Sequence, residues 1–552
     1  MMQKMRNVLA LCLACLLLPL ASANAETEFL VGDEEQRSSG SLWVQLFGVE
    51  EEAAVETNDK QDAQYRATLQ KLLDGSVVDA VNDFARLGTY RDSVKLTDYA
   101  NAMIDYLRGD VAAARAGFEA LDGFGDAAYR VELCDLMAIH RVYQNGKFGY
   151  ANLKGETVIA PAYDWAERTF REESRVAGHG EDSLKPVAVV FSGTTRVEEG
   201  EYLPDVGKYG LLGADGELVA PMEYDEVLWT ENGLAALRVG QSRVLLNLLS
   251  GERIGMAYDD VKAYREGYVP VKLTGKWSFL NAKGEYVPGG FVWDDAEPFS
   301  EGLAVVAQGG KYGFINTAGT VKIALEYQDA HSFGEGLAGV RWKKRYGFID
   351  ANGNVVLENQ YADTGVFSQG ACRVQKGKKY GLIDSKGTLI TKYKYDEITD
   401  FDPVYHRAWI RINQVWGLVS SEGTVVLTPT WGSYTPFGAN GMSRVSYRKK
   451  YGYINTMGVM MILSKYTAAA PFAAGRGGVV SAGGQVEYLD RFGRGFTVDS
   501  AVPTEAQYGF LEGRKYVSYS ETDSESGAIV TKQKIAFRLY QVDGTPITDW
   551  AE

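Results

Sequence analysis

Four histidines are the first residues to test for chemistry, because imidazole serves as base, nucleophile or metal ligand near neutral pH. His140, His179, His331 and His406 lie far apart and share no motif spacing, so no metal or catalytic constellation is expected. No HExxH, GxSxG, Walker-type or CxxC element occurs either. The run Gly475-Arg476-Gly477-Gly478, with Gly483-Gly484 behind it, has the composition of a phosphate cradle, but it opens no helical pattern and reads better as turns. The chemistry that remains is binding, carried by residues that recur. Lys147, Lys208, Lys276, Lys311, Arg345, Lys379 and Lys450 each stand directly before an aromatic ring. Acids collect between them, at Asp164, Asp225-Glu226, Asp259-Asp260, Asp294-Asp295, Asp329, Asp363 and Asp396-Glu397.

If equivalent positions stack, the bases and acids form two stripes. Lys276, Lys311, Arg345, Lys379 and Lys450 are then candidate contacts for a long anionic polymer, several charges acting together within a screening length. The competing explanation is that lysines at hairpin tips keep strand edges soluble and that the aspartates form turns. A second aromatic follows most of the first set by 15 residues: Tyr163, Tyr224, Tyr327, Tyr361, Tyr395, Trp431 and Tyr466. Tyr327, Tyr361 and Tyr395 are candidate platforms for stacking on carbohydrate; the alternative is that these rings pack one unit on the next.

The element that must position these residues is a repeat. Lys311-Tyr312-Gly313-Phe314-Ile315-Asn316-Thr317-Ala318-Gly319 returns as Arg345 to Gly353 and as Lys379 to Gly387, with the aromatic at 312, 346 and 380. The residue before the motif glycine marks ten units, at Phe148, Tyr209, Val244, Trp277, Tyr312, Tyr346, Tyr380, Trp416, Tyr451 and Val486. The spacing stays near 35 except after Phe148, where Arg168–Val206 holds an insertion of about 26 residues. Within one unit, Leu303 to Val306 forms a strand, Gln308 to Lys311 turns it, and Tyr312 to Ile315 runs back. Asn316 to Gly319 is a second turn, with glycine where positive φ is needed, and Thr320 to Ala324 is a third strand. Each unit is thus a three-stranded meander joined to the next by an aromatic connector.

This pattern, Tyr/Trp-Gly-[Phe/Tyr/Leu]-[Ile/Val]-[Asn/Asp]-x-x-Gly, resembles the bacterial WG-repeat family; the Trp-Gly pair survives literally at Trp416-Gly417. The resemblance covers about 139–550 and implies a non-catalytic repeat region, often in exported proteins. Residues 139–497 are assigned to ten such units, and 498–552 to a degenerate capping unit in which Phe537 to Gly544 fits the motif. Ahead of them, 61–138 carries a second repeat: Tyr65…Gly75…Phe84…Leu87 aligns with Tyr99…Gly109…Phe118…Leu121. Small and aromatic residues at helical spacing describe stacked helical hairpins, similar to tetratricopeptide-type repeats.

The first 25 residues read as a secretory signal: Lys4 and Arg6, an apolar core from Val8 to Leu20, and Ala23-Asn24-Ala25 for cleavage after Ala25. Residues 26–60 are an acidic linker. Cys12 and Cys15 leave with the leader, and Cys134 and Cys372 are expected to stay unpaired. The formal charge is −15 for the whole chain and near −17 without the two leader bases, which argues against nucleic-acid binding. No later apolar run is long enough to span a bilayer.

The expected fold is mainly β: an open superhelical array of three-stranded meanders preceded by a small helical segment. Ten or eleven units exceed the usual four to eight blades of a closed propeller, so closed rings are the alternative. The expected function is an exported, non-enzymatic binding or scaffold protein without cofactor, its partner a protein or an envelope polymer. The alternative is a cell-wall polymer- or glycan-binding protein.

Overall fold

The computed structural model describes residues 59–551, apart from 74–76, 108–110, 123, 125–126, 172–185, 199–200, 403–404, 439–440, 509, 523–528 and 542. The leader, most of the acidic linker and His179 therefore lie outside the described residues.

Among the described residues five helices come first: Asp59–Leu73, Val77–Leu87, Ser93–Leu107, Val111–Glu119 and Ala127–Met137. Helical spacing puts Ala80, Phe84 and Leu87 on one face, where they are buried with Tyr65 and Leu69. Tyr99 and Phe118 meet edge to face at 5.6 Å in a second cluster. Tyr508, from the far end of the chain, packs against that cluster and ties the helices to the β-region.

The β-region is a closed ring, not the open array expected from the number of units. Among the described residues ten repeat sheets follow one another, and a last hairpin, Phe510–Thr522 with Ile529–Gln541, stands between the tenth and the first. On one side its Leu511 and Tyr540 pack with Val486, Tyr488 and Val498. On the other, Phe510 and Leu539 pack with Val142 and Ala151, while Ile535 and Phe537 pack with Ile139, Phe148 and Tyr150. An open array would leave both terminal apolar faces in water; closure makes each the cover of the other. The unit at the end of the chain is thus a closing blade.

Most units also hold one strand more than a meander. In Leu337–Trp342, Arg345–Asp350 and Val355–Tyr361 the three expected strands appear, and the connector adds a two-residue edge strand, Asp329–Ala330, paired through Asp329↔Arg341 and Ala330↔Val340. The motif glycine is explained by the third strand. The register shift between Tyr346 and Phe348 marks a bulge in the third strand opposite Gly347, and a Cβ on Gly347 would lie 2.4 Å from the Leu357 carbonyl oxygen. At the second turn Asp350 accepts from the backbone N–H of Asn352 and of Asn354, both at 2.9 Å, and Gly353 adopts φ +85°. The glycine-rich run behaves as turn and strand: Gly475 sits in a hairpin turn at φ +72°, and Gly477 lies beneath the Tyr453 ring.

Candidate functional site

The lysines and aspartates do not run as separate stripes. The base before the marker reaches the acid 17 or 18 residues on: Lys147 to Asp164 at 2.6 Å, Lys208 to Asp225 at 2.5 Å, and likewise Lys276 to Asp294 and Lys379 to Asp396. The same acids accept a backbone N–H from the hairpin tip of the next sheet, Gly240 onto Asp225 and Gly309 onto Asp294 at 2.6 Å, Asn413 onto Asp396 at 2.8 Å. Each aspartate therefore clasps two successive blades. The lysine bond first, then the tip N–H, holds the carboxyls of Asp225, Asp294 and Asp396 below their ordinary range. Lys311 departs from the pattern and donates to the Glu326 carbonyl at 3.3 Å; Arg345 and Lys450 are exposed at their tips.

The connector rings lie inside the molecule. Tyr361 and Tyr395 are 2% and 1% exposed and Tyr327 is 6% exposed, each within the apolar cluster between neighbouring sheets. Burial pushes the Tyr361 hydroxyl up to about 12. These positions serve packing, and no ring face is left for a sugar.

What the fold does bring together is a set of charged residues that single-letter periodicity hid. Asp329 on its edge strand faces Arg341 at 3.7 Å, and the Arg341 guanidinium lies 5.6 Å from the centre of the Tyr346 ring. Tyr346 donates its hydroxyl proton to Asp329 at 2.7 Å, closing a triangle. The next blade repeats it: Arg373 to Asp363 at 3.9 Å, Arg373 over Tyr380 at 5.9 Å, and Tyr380 donating to Asp363 at 2.8 Å. In the blade after that, Arg411 meets Glu397 at 2.5 Å and lies over Trp416 at 5.3 Å. Before these three, where the arginine position is Ala307, Lys262 of the preceding blade supplies the base, to Asp295 at 3.1 Å and Glu297 at 2.8 Å. The arginines of the three triads are 30–39% exposed and the acids 33–41%, so solvent reaches groups whose geometry is already fixed. Sequence reading missed this column because its members are neighbours only after the connector folds back as an edge strand. The signal was a base at 341 and 411, each five residues before its marker, with the base at 373 displaced by two because Gln375 holds the equivalent place opposite Asp363.

The histidines are not brought together: His140 is buried, His331 lies 5.1 Å from the Tyr346 ring and His406 sits at a turn. Among the described residues there is no group of three or more His, Cys, Asp or Glu able to hold a metal ion. No helix among them is long and apolar enough to cross a membrane.

Comparison with solved structures finds a match to one titled "Crystal structure of the eukaryotic initiation factor", 11% identical, covering 62% of this chain and 93% of that chain with a TM-score of 0.36. Another, "Crystal structure of WD40 beta propeller domain of Doa1", is 13% identical and covers 42% of this chain and 91% of that one, with a TM-score of 0.22. No curated protein matches. The model of the WG containing repeat matches residues 148–175, 209–241, 252–277, 290–312, 312–343, 346–380, 380–414, 416–451 and 451–483. Matched in nine segments over just more than half its length, this chain belongs to the WG-containing repeat family.

Proposed function

We propose that this protein is an exported, non-catalytic binding module that holds a neutral, hydroxyl-rich polymer, a glycan of the envelope or its surroundings, along the column of acid–base–aromatic triads. The observation that carries the proposal is the recurrence of Asp329–Arg341–Tyr346, Asp363–Arg373–Tyr380 and Glu397–Arg411–Trp416 in three consecutive blades. Each unit presents a carboxylate and a planar guanidinium side by side, an acceptor and a donor suited to adjacent hydroxyls, and their charges cancel. A repeating ligand meets several shallow contacts at once, which gives avidity without a deep pocket. The paired hairpin-tip lysines and the charge of −15 favour a neutral polymer over a polyanion. The leader-like first 25 residues are what place such a module outside the cytoplasm in this proposal.

Affinity electrophoresis of the protein through gels containing soluble neutral β-glucan or mannan, and separately an anionic teichoic-type polymer, tests it. Retardation by a neutral polymer that persists at about 0.5 M salt, where the screening length falls to a few Å, is the expected result. Retardation only by the anionic polymer, and only at low salt, would overturn the proposal in favour of the hairpin-tip bases.

A further inference from the structure

The ring has one junction where the blades that meet are not consecutive in the chain. There, Arg141 of the first blade bonds Glu512 of the closing hairpin across 371 residues. The insertion in the second unit arrives at this same place. It is a long hairpin, Val187–Glu198 with Glu201–Gly213, and its burial changes along its length. The root, from Val187 to Phe191 and from Gly210 to Gly213, is buried inside its own blade. The middle stands in solvent, with Val206 71% exposed. At the far end the outgoing strand, Arg196 to Glu198, stays exposed, while Glu201 to Pro204 of the returning strand are half-buried, because Glu201 and Tyr202 touch the seam.

We propose that this hairpin is a strap that holds the ring shut. Two residues at its end make the contact. Glu201 receives Arg141 at 2.6 Å, Arg514 at 3.0 Å and Arg168 at 3.2 Å, so one carboxylate gathers guanidiniums from the first blade, the closing hairpin and the connector between the first two blades. Tyr202 stacks on Tyr143 of the first blade at 5.6 Å and an interplanar angle of 24°, and lies 6.0 Å from Phe537 of the closing hairpin. Its hydroxyl accepts the Ile535 N–H at 3.4 Å. Both sides of the seam are thus held by Glu201 and Tyr202 of one strand.

The same hairpin carries a pivot. Gly193 and Gly207 are direct partners across the two strands, Gly193 at φ +152°, and the register shifts at the next residue, between Thr194 and Thr195. They sit where the buried root gives way to the exposed arm. A Cβ on Gly207 would lie 2.2 Å from the Ser192 carbonyl oxygen and one on Gly193 would lie 2.2 Å from that of Val206. Bending there lifts the tip without unpairing the root. Once it lifts, Glu512 is left to hold Arg141 and Arg514 alone, and the seam loosens before any chain-connected junction does.

Amide hydrogen exchange of the full chain tests this with two variants, Glu201→Ala/Tyr202→Ala and the milder Glu201→Gln. In the double variant, exchange in 139–144 and 510–514 should rise at least ten-fold while 312–383, across connected blades, stays as in the wild type. In Glu201→Gln, which keeps the side chain's size and loses its charge, the rise at the same segments should be at least three-fold. Unchanged exchange at the seam in both variants, or an equal rise in all blades, would overturn the proposal. If the double variant fails to fold, the single one decides on the same readout.

Discussion

Arg141 and Glu512 are each 2% exposed and face one another at 2.8 Å, with Arg514 at 2.6 Å from the same carboxylate. Bases and acids this dry hold their charges only because they hold each other. Despite burial, the arginines keep the Glu512 carboxyl well below its ordinary range and that of Glu201 lowered. Replacing Glu512 by Ala leaves two buried guanidiniums with Glu201 as their one remaining carboxylate among the described contacts and should cost about 3 kcal/mol, measured as a fall in the urea midpoint at unchanged slope. The pH dependence has a definite sign. Burial pulls the neighbouring His140 down to about 4, so the unfolded chain takes that proton first and stability falls as pH drops from about 6.5 towards 4. Glu201 and Glu512 stabilise the fold above the ordinary carboxylate range, and that contribution is lost as pH falls through their lowered values. His140→Asn should flatten the first part of the acid profile and leave the second. The thiols behave as the sequence led one to expect. Cys134 and Cys372 form no disulfide and are buried, and burial raises the Cys372 thiol to about 12, so alkylation should proceed only in denaturant.

At the scale of the element, the two kinds of glycine in the repeat make separable predictions. Gly347→Ala puts a Cβ 2.4 Å from a carbonyl oxygen and 2.4 Å from the Trp342 ring, in strands that cannot part without losing the bulge. It should cost about 2–3 kcal/mol through overpacking. Gly309→Ala meets nothing within 4 Å and pays only for its left-handed φ of +59°, about 1 kcal/mol. Equal losses in chemical denaturation would refute the bulge explanation. Strand order, both turns and the marker glycine were legible because they repeat in local sequence, as in Asn316 to Gly319. The edge strand was not, because Asp329 and Ala330 form only two pairs and carry no alternation of their own. The triads were hidden for the same reason, since Asp329 and Arg341 become neighbours only through that pairing.

Over the whole molecule, ring closure was the part that counting repeats misjudged. Usual blade numbers are a statement about other rings; what decides here is whether the two end faces match. Phe510, Leu539 and Phe537 fit the first blade because the last unit kept apolar residues on both sides of its hairpin. Deleting one full period, Tyr346 to Lys379, should therefore harm the protein as much as deleting half of it, since either breaks the fit at the seam. Loss of soluble, folded protein in both cases, by circular dichroism and gel filtration, is expected; a well-folded shorter protein from the full-period deletion would argue for an open array.

The binding column can be tested blade by blade, by titrating a soluble neutral glycan retained in the gel experiment into wild type, Arg341→Ala, Arg373→Ala and Arg411→Ala, the triple variant, and the hairpin-tip control Lys311→Glu/Arg345→Glu/Lys450→Glu, whose bases stand outside the lysine–aspartate clasps. Each single arginine loss should weaken affinity about five-fold, as expected for roughly 1 kcal/mol per exposed charged hydrogen-bonding group. The triple variant should lose about a hundred-fold with its thermal midpoint nearly unchanged, and the tip control should bind almost as wild type. A triple variant that binds as well as wild type, or a tip control that alone abolishes binding, would contradict the assignment of the ligand to the column.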